Sequence, residues 1–223
     1  MRSGQVLTTS AAELSIAHWN RTPLFLSEEE RYAIYPWLYE AAEFRKHRGE
    51  RVLEIGCGTG CDLLQFAKHG AFAIGVDITP EHIHLARRRV GRLAHVLFAN
   101  AAMLPFDTAS FDYVYSHGVL HHLDQPRYMV EEIFRVLRPG GRFNVHVYAH
   151  WSYCRPLLML KYGKNWKQWI ENSRDPVPIV LYSGEQLRHL FTPAKISLEK
   201  YEFKYAPFLQ RWLGWFLAAK GAI

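Results

Sequence analysis

Val52-Leu53-Glu54-Ile55-Gly56-Cys57-Gly58-Thr59-Gly60 decides how this chain folds. A short apolar run reads as a buried strand, and the glycines at alternate positions end it with a turn tight enough for backbone to approach a ligand. Residues 62–68 then carry apolar positions at helical spacing and stop at Gly70, a helix C-cap signal. A strand, a glycine-rich turn and a helix together open a crossover unit of a parallel sheet.

Downstream, the same alternation repeats. Residues 72–76 form a second predicted strand. Thr79-Pro80-Glu81 opens a helix to about Val90, with Thr79 as N-cap and Pro80 at the first position. Strands follow at 94–98 and 111–115. Asp124-Gln125-Pro126 starts a helix that ends before Pro139-Gly140-Gly141, and a fifth strand covers 142–148. The expectation is an α/β fold: a Rossmann-like, mostly parallel seven-stranded sheet with helices on both faces and right-handed crossovers. After Tyr148 the pattern breaks. Ser183-Gly184-Glu185-Gln186 is a capping box for a short helix to Phe191, and strands at 196–205 and 213–220 close the sheet as an antiparallel pair. Upstream, residues 1–26 read as irregular. Ser27-Glu28-Glu29-Glu30 is a second capping box, opening a predicted helix over 27–44 with Tyr32, Tyr35, Leu38, Tyr39 and Ala42 on one face. The chain therefore divides into an N-terminal helical lid (1–46), a ligand-binding core (47–150), an aromatic and basic cap with the last helix (151–192), and the terminal strand pair (193–223).

Composition narrows the function classes. With 223 residues, 49% hydrophobic and 22% charged, the chain can bury a sizeable core. Cys57, Cys61 and Cys154 supply no disulfide framework and no paired zinc spacing, so no metal site is expected. No apolar stretch is long enough to span a bilayer and the first residues lack a leader pattern; a cytoplasmic enzyme is expected. The net charge of +6 permits anionic partners, but Arg45-Lys46-His47-Arg48 and Arg87-Arg88-Arg89 fall near predicted helix C-termini, where cations complement the dipole; this speaks against a nucleic-acid groove. Residues 156–169 are apolar, aromatic and basic. They fit a cover over a pocket or packing on the sheet edge better than contact with a membrane surface. The oligomeric state is not legible.

In a doubly wound sheet the glycine loop lies at the carboxyl edge, where ligands bind. Asp77 ends the second strand 17 residues after Gly60, suited to accept hydrogen bonds from ribose hydroxyls. A nucleoside ligand follows. The dinucleotide pattern G-x-G-x-x-G fails here, because the third position is Cys61. Glu54 and Asp62 flank the loop and would oppose a pyrophosphate, but suit a cation such as the sulfonium and amino group of S-adenosylmethionine. A nicotinamide-dependent oxidoreductase is the disfavoured alternative; a binding protein that has lost catalysis is another.

Taken as a set, these stretches resemble the class I S-adenosylmethionine-dependent methyltransferases, especially the bacterial group acting on small molecules. The glycine motif is joined in order by Gly75-Val76-Asp77-Ile78-Thr79, Asn100-Ala101-Ala102-Met103-Leu104-Pro105-Phe106, the run from Phe111 to Ser116 with His121-His122-Leu123-Asp124, and Arg135-Val136-Leu137-Arg138-Pro139-Gly140-Gly141. The resemblance covers residues 30–148 and more loosely 180–223. It implies that Glu54, Gly56, Gly58 and Gly60 hold the methionine part and Asp77 the ribose. Ile78 would pack on the adenine, and the Asn100 side chain and Ala101 backbone would bind its edge. Ser116 and His117 would lie beside the methionine part. Many relatives carry aspartate where this chain has Asn100; an amide oxygen still accepts from the adenine amino group. The implied reaction is O-, N- or C-methylation of a small organic acceptor, leaving S-adenosylhomocysteine.

Methyl transfer needs two aligned reactants and, for some acceptors, removal of a proton. His117, His121, His122, His146, Tyr148 and His150 all fall near the carboxyl ends of strands four and five. Along strand five Phe143, Val145 and Val147 point one way and Asn144, His146 and Tyr148 the other. His121 is the expected base, with His146 second and Tyr148 orienting the acceptor; His122 reads as a residue pinning the loop before Asp124. Ser116-His117-Gly118-Val119 occupies the place of the Asn/Asp-Pro-Pro-aromatic segment of base-amino methyltransferases, which argues against amino methylation of a nucleobase. No carboxylate cluster suggests a metal-dependent enzyme, and Cys57 inside the loop makes a thiol-rich, arsenic-type site a poor reading. Trp37, Tyr153, Trp166 and Trp169 are expected pocket walls.

Overall fold

The computed structural model describes residues 11–23, 25–152, 154–166, 179–201 and 216–223. Seven strands form one sheet in the order β3-β2-β1-β4-β5-β7-β6. β1 (Arg51–Ile55), β2 (Phe72–Asp77), β3 (His95–Phe98), β4 (Phe111–His117) and β5 (Leu137–Tyr148) run parallel. β7 (Phe216–Ala222) runs antiparallel to both β5 and β6 (Ile196–Tyr201). The expected architecture is the one observed. Predicted positions 202–205 and 213–215 lie outside the described residues, as do Tyr153 and Trp169.

Strand alternation sorts the core into two layers. On one face Leu53, Ile55, Val114, Phe143, Val145 and Val147 pack with Met129, Val130, Ile133 and Val136 of α6 (Pro126–Val136) and with Leu187 of α8 (Gly184–Leu190). On the other, Val52, Ala73, Tyr113 and Tyr115 meet Leu63, Leu64 and Phe66 of α4 (Cys61–Lys68) and Ile83, Ala86 and Val90 of α5 (Pro80–Val90). Each large apolar side chain so buried contributes roughly 1.5–3 kcal/mol. α7 (Cys154–Tyr162) follows the sheet's carboxyl edge.

The N-terminal region departs from expectation twice. Residues read as irregular contain α1 (Ala11–Arg21), which packs on α5. The single helix expected over 27–44 is instead α2 (Glu28–Ile34), α3 (Leu38–Ala41) and a 3₁₀ turn (Phe44–Lys46). Pro36 is the cause: it lacks an N–H and pushes Tyr35 out of helical geometry, to φ −118°, ψ 71°. Both capping boxes form as read. Ser27 Oγ accepts from the Glu30 amide at 3.1 Å and Glu30 Oε2 from the Ser27 amide at 2.7 Å; Ser183 and Gln186 repeat the arrangement. Thr79 makes no side-chain cap. Strand five begins five residues early, at Leu137, because Leu137 already pairs with Phe111 across an irregularity before Tyr113.

Gly75, in β2, lies directly against α4 and the glycine loop. A Cβ there would lie 2.6 Å from Leu63 Cδ2 and 2.9 Å from Cys57 Cβ and Sγ, inside contact distance. Gly75→Ala should therefore cost about 1–3 kcal/mol by overpacking, seen as a melting temperature several degrees lower. An unchanged melting temperature would mean that the glycine loop and α4 yield freely.

Candidate functional site

The loop after β1 is shaped by backbone only glycine adopts readily. Gly56, Gly58 and Gly60 have φ of +71°, +50° and +80°. A Cβ on Gly56 would sit 2.1 Å from Val119 Cγ2, so loop and β4 connection touch only because that position is bare. The Gly56 and Cys57 amides bind Val76 O at 2.8 and 3.0 Å. The Gly58 amide donates to Asp77 Oδ2 at 2.9 Å, fastening the end of β2 to the loop.

Asp77 Oδ1 also accepts from the Thr79 amide at 2.9 Å and faces His82 Nδ1 at 3.4 Å. Burial works against its charge, but the bond and charge of His82 and the Thr79 and Gly58 amides outweigh it, so the carboxyl stays below its ordinary range. Asp77 is thus a buried, ionised, pre-oriented acceptor.

The two carboxylates flanking the loop have opposite fates. Asp62 is held by Arg31 Nε at 2.6 Å and Nη2 at 2.5 Å, with the Tyr32 and Tyr115 hydroxyls at 3.0 and 3.2 Å. Glu54 is 3% exposed, and its Oε2 has no hydrogen-bond partner among the described residues. Burial, then the nearby Asp62 and Asp77, push its pKa well above the ordinary value, against the pull of Arg31. Both flanking acids line the cavity, but Asp62 is tied to Arg31 and two tyrosines while Glu54 keeps an oxygen without a partner among the described residues.

Glu54, Gly56, Gly58 and Asp77 line a cavity of about 230 Å³ at the carboxyl edge. Ile78, Asn100 and Ala101 continue that wall, and His117, Tyr148 and Phe216 form another part. Asn100 Oδ1 already accepts from the Ala102 amide at 2.9 Å, keeping one lone pair for a ligand. Gly60, Ser116, His121 and His146 are not on the wall. Gly60 caps α4, where a Cβ would meet Ala86 at 3.1 Å. Ser116 Oγ donates to Ile55 O at 2.9 Å, bracing β4 on β1. His121 is wholly buried, stacked on Tyr148 at 4.2 Å, while its carbonyl accepts from the Val180 amide. The base expected at this position thus lies behind the cavity wall and not on it. Residues Leu120–His122 form a 3₁₀ turn, about a third of a turn per residue, so His122 takes the cavity side instead.

Residues missed in the sequence join the wall: Ser15 and Trp19 of α1, Arg31 of α2, Tyr35 just after it, and His82. Trp37 is absent from it, stacking on Tyr201 at 4.5 Å, and Trp166 is buried against the cluster of Tyr148 and Phe216. The arginine run at the end of α5 is partly internal: Arg87 caps Val96 O, and Arg89 reaches Thr59 Oγ1 at 3.1 Å and the Leu26 carbonyl. Among the described residues no group of three or more His, Cys, Asp or Glu is placed to hold a metal ion, and no helix is long and apolar enough to cross a membrane.

With that geometry in view, the likenesses are specific. Residues 53–145 match the methyltransferase domain family. An O-methyltransferase of Aspergillus nomiae is 40% identical over 105 residues, 44% of this chain and 46% of that protein. A demethylmenaquinone methyltransferase of Clavibacter sepedonicus is 38% identical over 96 residues, 42% of this chain and 39% of that protein. The chain spans less than half the length of these curated relatives. Among solved structures, a chain from the complex between the Haloferax volcanii Trm112 methyltransferase activator and a putative methyltransferase superposes with a TM-score of 0.70 at 18% identity, covering 96% of this chain and 98% of that one. A possible histamine N-methyltransferase of Thermotoga maritima gives 0.64 at 21%, covering 92% and 97%. The fold is that of the class I methyltransferases, and residues 53–145, which carry the glycine loop and Asp77, match a methyltransferase domain.

Glu54 sets a measurable conflict between stability and binding. Its folded pKa is raised, so folding favours the protonated form; that contribution is present below its ordinary value of 4.5 and is lost as the pH rises through the raised folded value. In ligand-free protein, Glu54→Gln should melt above the parent at neutral pH, with the gap closing on acidification toward pH 4.5. Thermal scans from pH 4.5 to 8 test this. A variant that melts below the parent at pH 8 would mean Glu54 is already paired.

Proposed function

We propose that this chain transfers a methyl group from S-adenosylmethionine to a hydroxyl group of a small organic acceptor. The observation that carries the reading is Glu54: a buried carboxylate facing the cavity beside the glycine loop, with an oxygen lacking a partner among the described residues. A ligand ammonium would satisfy it, whereas a pyrophosphate would be repelled, which counts against the nicotinamide reading. S-adenosylmethionine supplies a methyl group made electrophilic by positively charged sulfur.

The residues present fit such a ligand. Glu54 with the loop at Gly56 and Gly58 would hold its amino-acid end, Gly60 giving the loop its shape. Asp77 would take the ribose hydroxyls without reorganising, because Gly58, Thr79 and His82 already fix its orientation. Ile78 would pack on the adenine, with the free lone pair of Asn100 and the Ala101 backbone at its edge. Trp19 of α1 lines the cavity beside His82 and His122. Tyr35, His117, Tyr148 and Phe216 form an uncharged, aromatic acceptor side. Aromatic faces and polar ring atoms there suit a planar hydroxylated compound. The O-methyltransferase relatives support that class, and the demethylmenaquinone methyltransferase relatives support a quinone-like acceptor as the second reading. The buried free thiols of Cys57 and Cys61 suit a reducing, cytoplasmic setting.

Calorimetry with S-adenosylmethionine, S-adenosylhomocysteine and NAD tests the ligand, and methyl-labelled S-adenosylmethionine with metabolite extracts tests turnover. Asp77→Ala should weaken S-adenosylhomocysteine binding by roughly tenfold to a hundredfold or more, since each charge-assisted bond is worth about 1.5–3 kcal/mol. Equal affinity in the variant removes Asp77 from the site. Tighter binding of NAD overturns the reading as a whole, and binding without any turnover favours a protein that has kept the fold and lost catalysis.

A further inference from the structure

We propose that His117 is the group that takes the proton from a hydroxyl acceptor, and that His146, behind it, fixes which ring nitrogen does so. The inference rests on the methyl-transfer reading and assigns the role first expected of His121.

β4 and β5 place the two residues side by side in register. His117 lines the cavity, between the rings of Tyr35 at 5.7 Å and Phe216 at 5.1 Å. His146 lies one layer deeper with no exposed surface. Their Nδ1 atoms are 3.1 Å apart, a hydrogen bond that needs one proton between two nitrogens. The bond alone allows either residue to be the donor.

The other nitrogen of His146 decides between them. Its Nε2 is buried without a hydrogen-bond partner among the described residues, and the rings of Tyr115, Trp37 and Tyr201 surround the imidazole at 5.5, 5.7 and 6.0 Å. Among aromatic rings an N–H is the more favourable group, since its positive end is attracted to a ring face while a lone pair gains nothing there. The Nε2–H form is therefore the cheaper one. His146 Nδ1 must then accept, His117 must donate from Nδ1, and His117 Nε2 is left as a bare lone pair on the cavity side. Burial, reinforced by Arg31, His146 and His121, keeps the His117 ring neutral. Burial with Lys220 likewise lowers His146 to about 3, so neither ring carries a proton that would block the arrangement.

The step balances simply. The acceptor oxygen's electron pair forms the new bond to the methyl carbon as the carbon–sulfur bond breaks onto sulfur, and the hydroxyl proton passes to His117 Nε2. The resulting imidazolium then loses that proton to water, since its surroundings disfavour charge. His146 touches no reacting atom and acts as a positioning residue.

The tautomers can be read directly by NMR of protein carrying ¹⁵N-labelled histidine at neutral pH, with and without S-adenosylhomocysteine. His117 should be protonated at Nδ1 only and His146 at Nε2 only. His146→Asn, which puts an amide oxygen where Nδ1 lies, should keep the His117 tautomer. His146→Phe should leave His117 a mixture of both forms, with each variant first checked for its melting temperature. Added to the S-adenosylhomocysteine complex, 1-naphthol should shift the His117 Nε2 resonance and 1-methoxynaphthalene should not. An Nε2–H on His117 overturns the proposal; it would mean that the Trp37 indole N–H turns onto His146 Nε2 and reverses both rings. Identical shifts with the two naphthalenes overturn it as well. Because the tautomers are also measured without ligand, failure to bind S-adenosylhomocysteine counts against the methyl-transfer reading and not against the histidine pair.

Discussion

The buried ion pair between Arg31 and Asp62 is the constraint on which the site depends. Three carboxylates, Glu54, Asp62 and Asp77, crowd one glycine loop, and the charges of Asp62 and Asp77 add to burial in raising the pKa of Glu54. Arg31 neutralises the middle one in a two-pronged bond, with two tyrosine hydroxyls completing its shell. Breaking such a pair strands a buried charge, at a cost of about 3–5 kcal/mol. The bond also has a mechanical consequence, because Arg31 belongs to α2 and Asp62 to the first turn of α4. A helix far away in sequence is thereby clamped over the loop, and Tyr35, four residues on, is set against His117. Electrostatic relief and the closing of the acceptor side come from one interaction.

How much of this was legible in the sequence follows from the range of the interactions. The strand and helix order, both capping boxes and the glycine loop are local patterns, and they fold as read. Asp77 could be singled out because a strand end at a fixed distance from the loop is itself a local relation. Arg31 with Asp62 was not, since a separation of 31 residues leaves no periodicity to detect. Asp62 accordingly read as a second open acid. Pro36 was a local signal passed over, and its neglect joined three short elements into one helix. α1 could not be called because its polar and apolar residues are poorly segregated, yet it contributes Ser15 and Trp19 to the wall.

The histidines make the same point within a few residues. His121 and His122 are adjacent, and which of them faces a ligand depends on the phase of one 3₁₀ turn. No pattern in a sequence fixes that phase; it is set here by Leu120 entering the core and by Val180 bonding the His121 carbonyl. For His146 the alternation of strand five set a face shared with Asn144 and Tyr148, whereas nothing local did so for His117. Their pairing required knowing that β4 and β5 are neighbours in that register.

Ser15 Oγ, Glu54 Oε2 and His82 Nε2 of the cavity wall lack hydrogen-bond partners among the described residues, as do His146 Nε2 one layer behind it and Trp37 Nε1, His47 Nε2 and Asn144 Oδ1 elsewhere in the interior. Each such atom costs free energy, and a fold optimised for stability alone would pair or replace them. Their neighbours show that pairing was available. Asp62 has four donors, Asp77 has two amides and a histidine, and Ser116 is tied to β1. The distinction within this small volume is between groups that must hold still and groups that must stay open. Asp77 belongs to both, since its orientation is fixed by the protein while its charge remains able to accept two further hydrogen bonds. That combination of a rigid frame and a few deliberately unsatisfied atoms is what separates a binding site from an ordinary sheet edge.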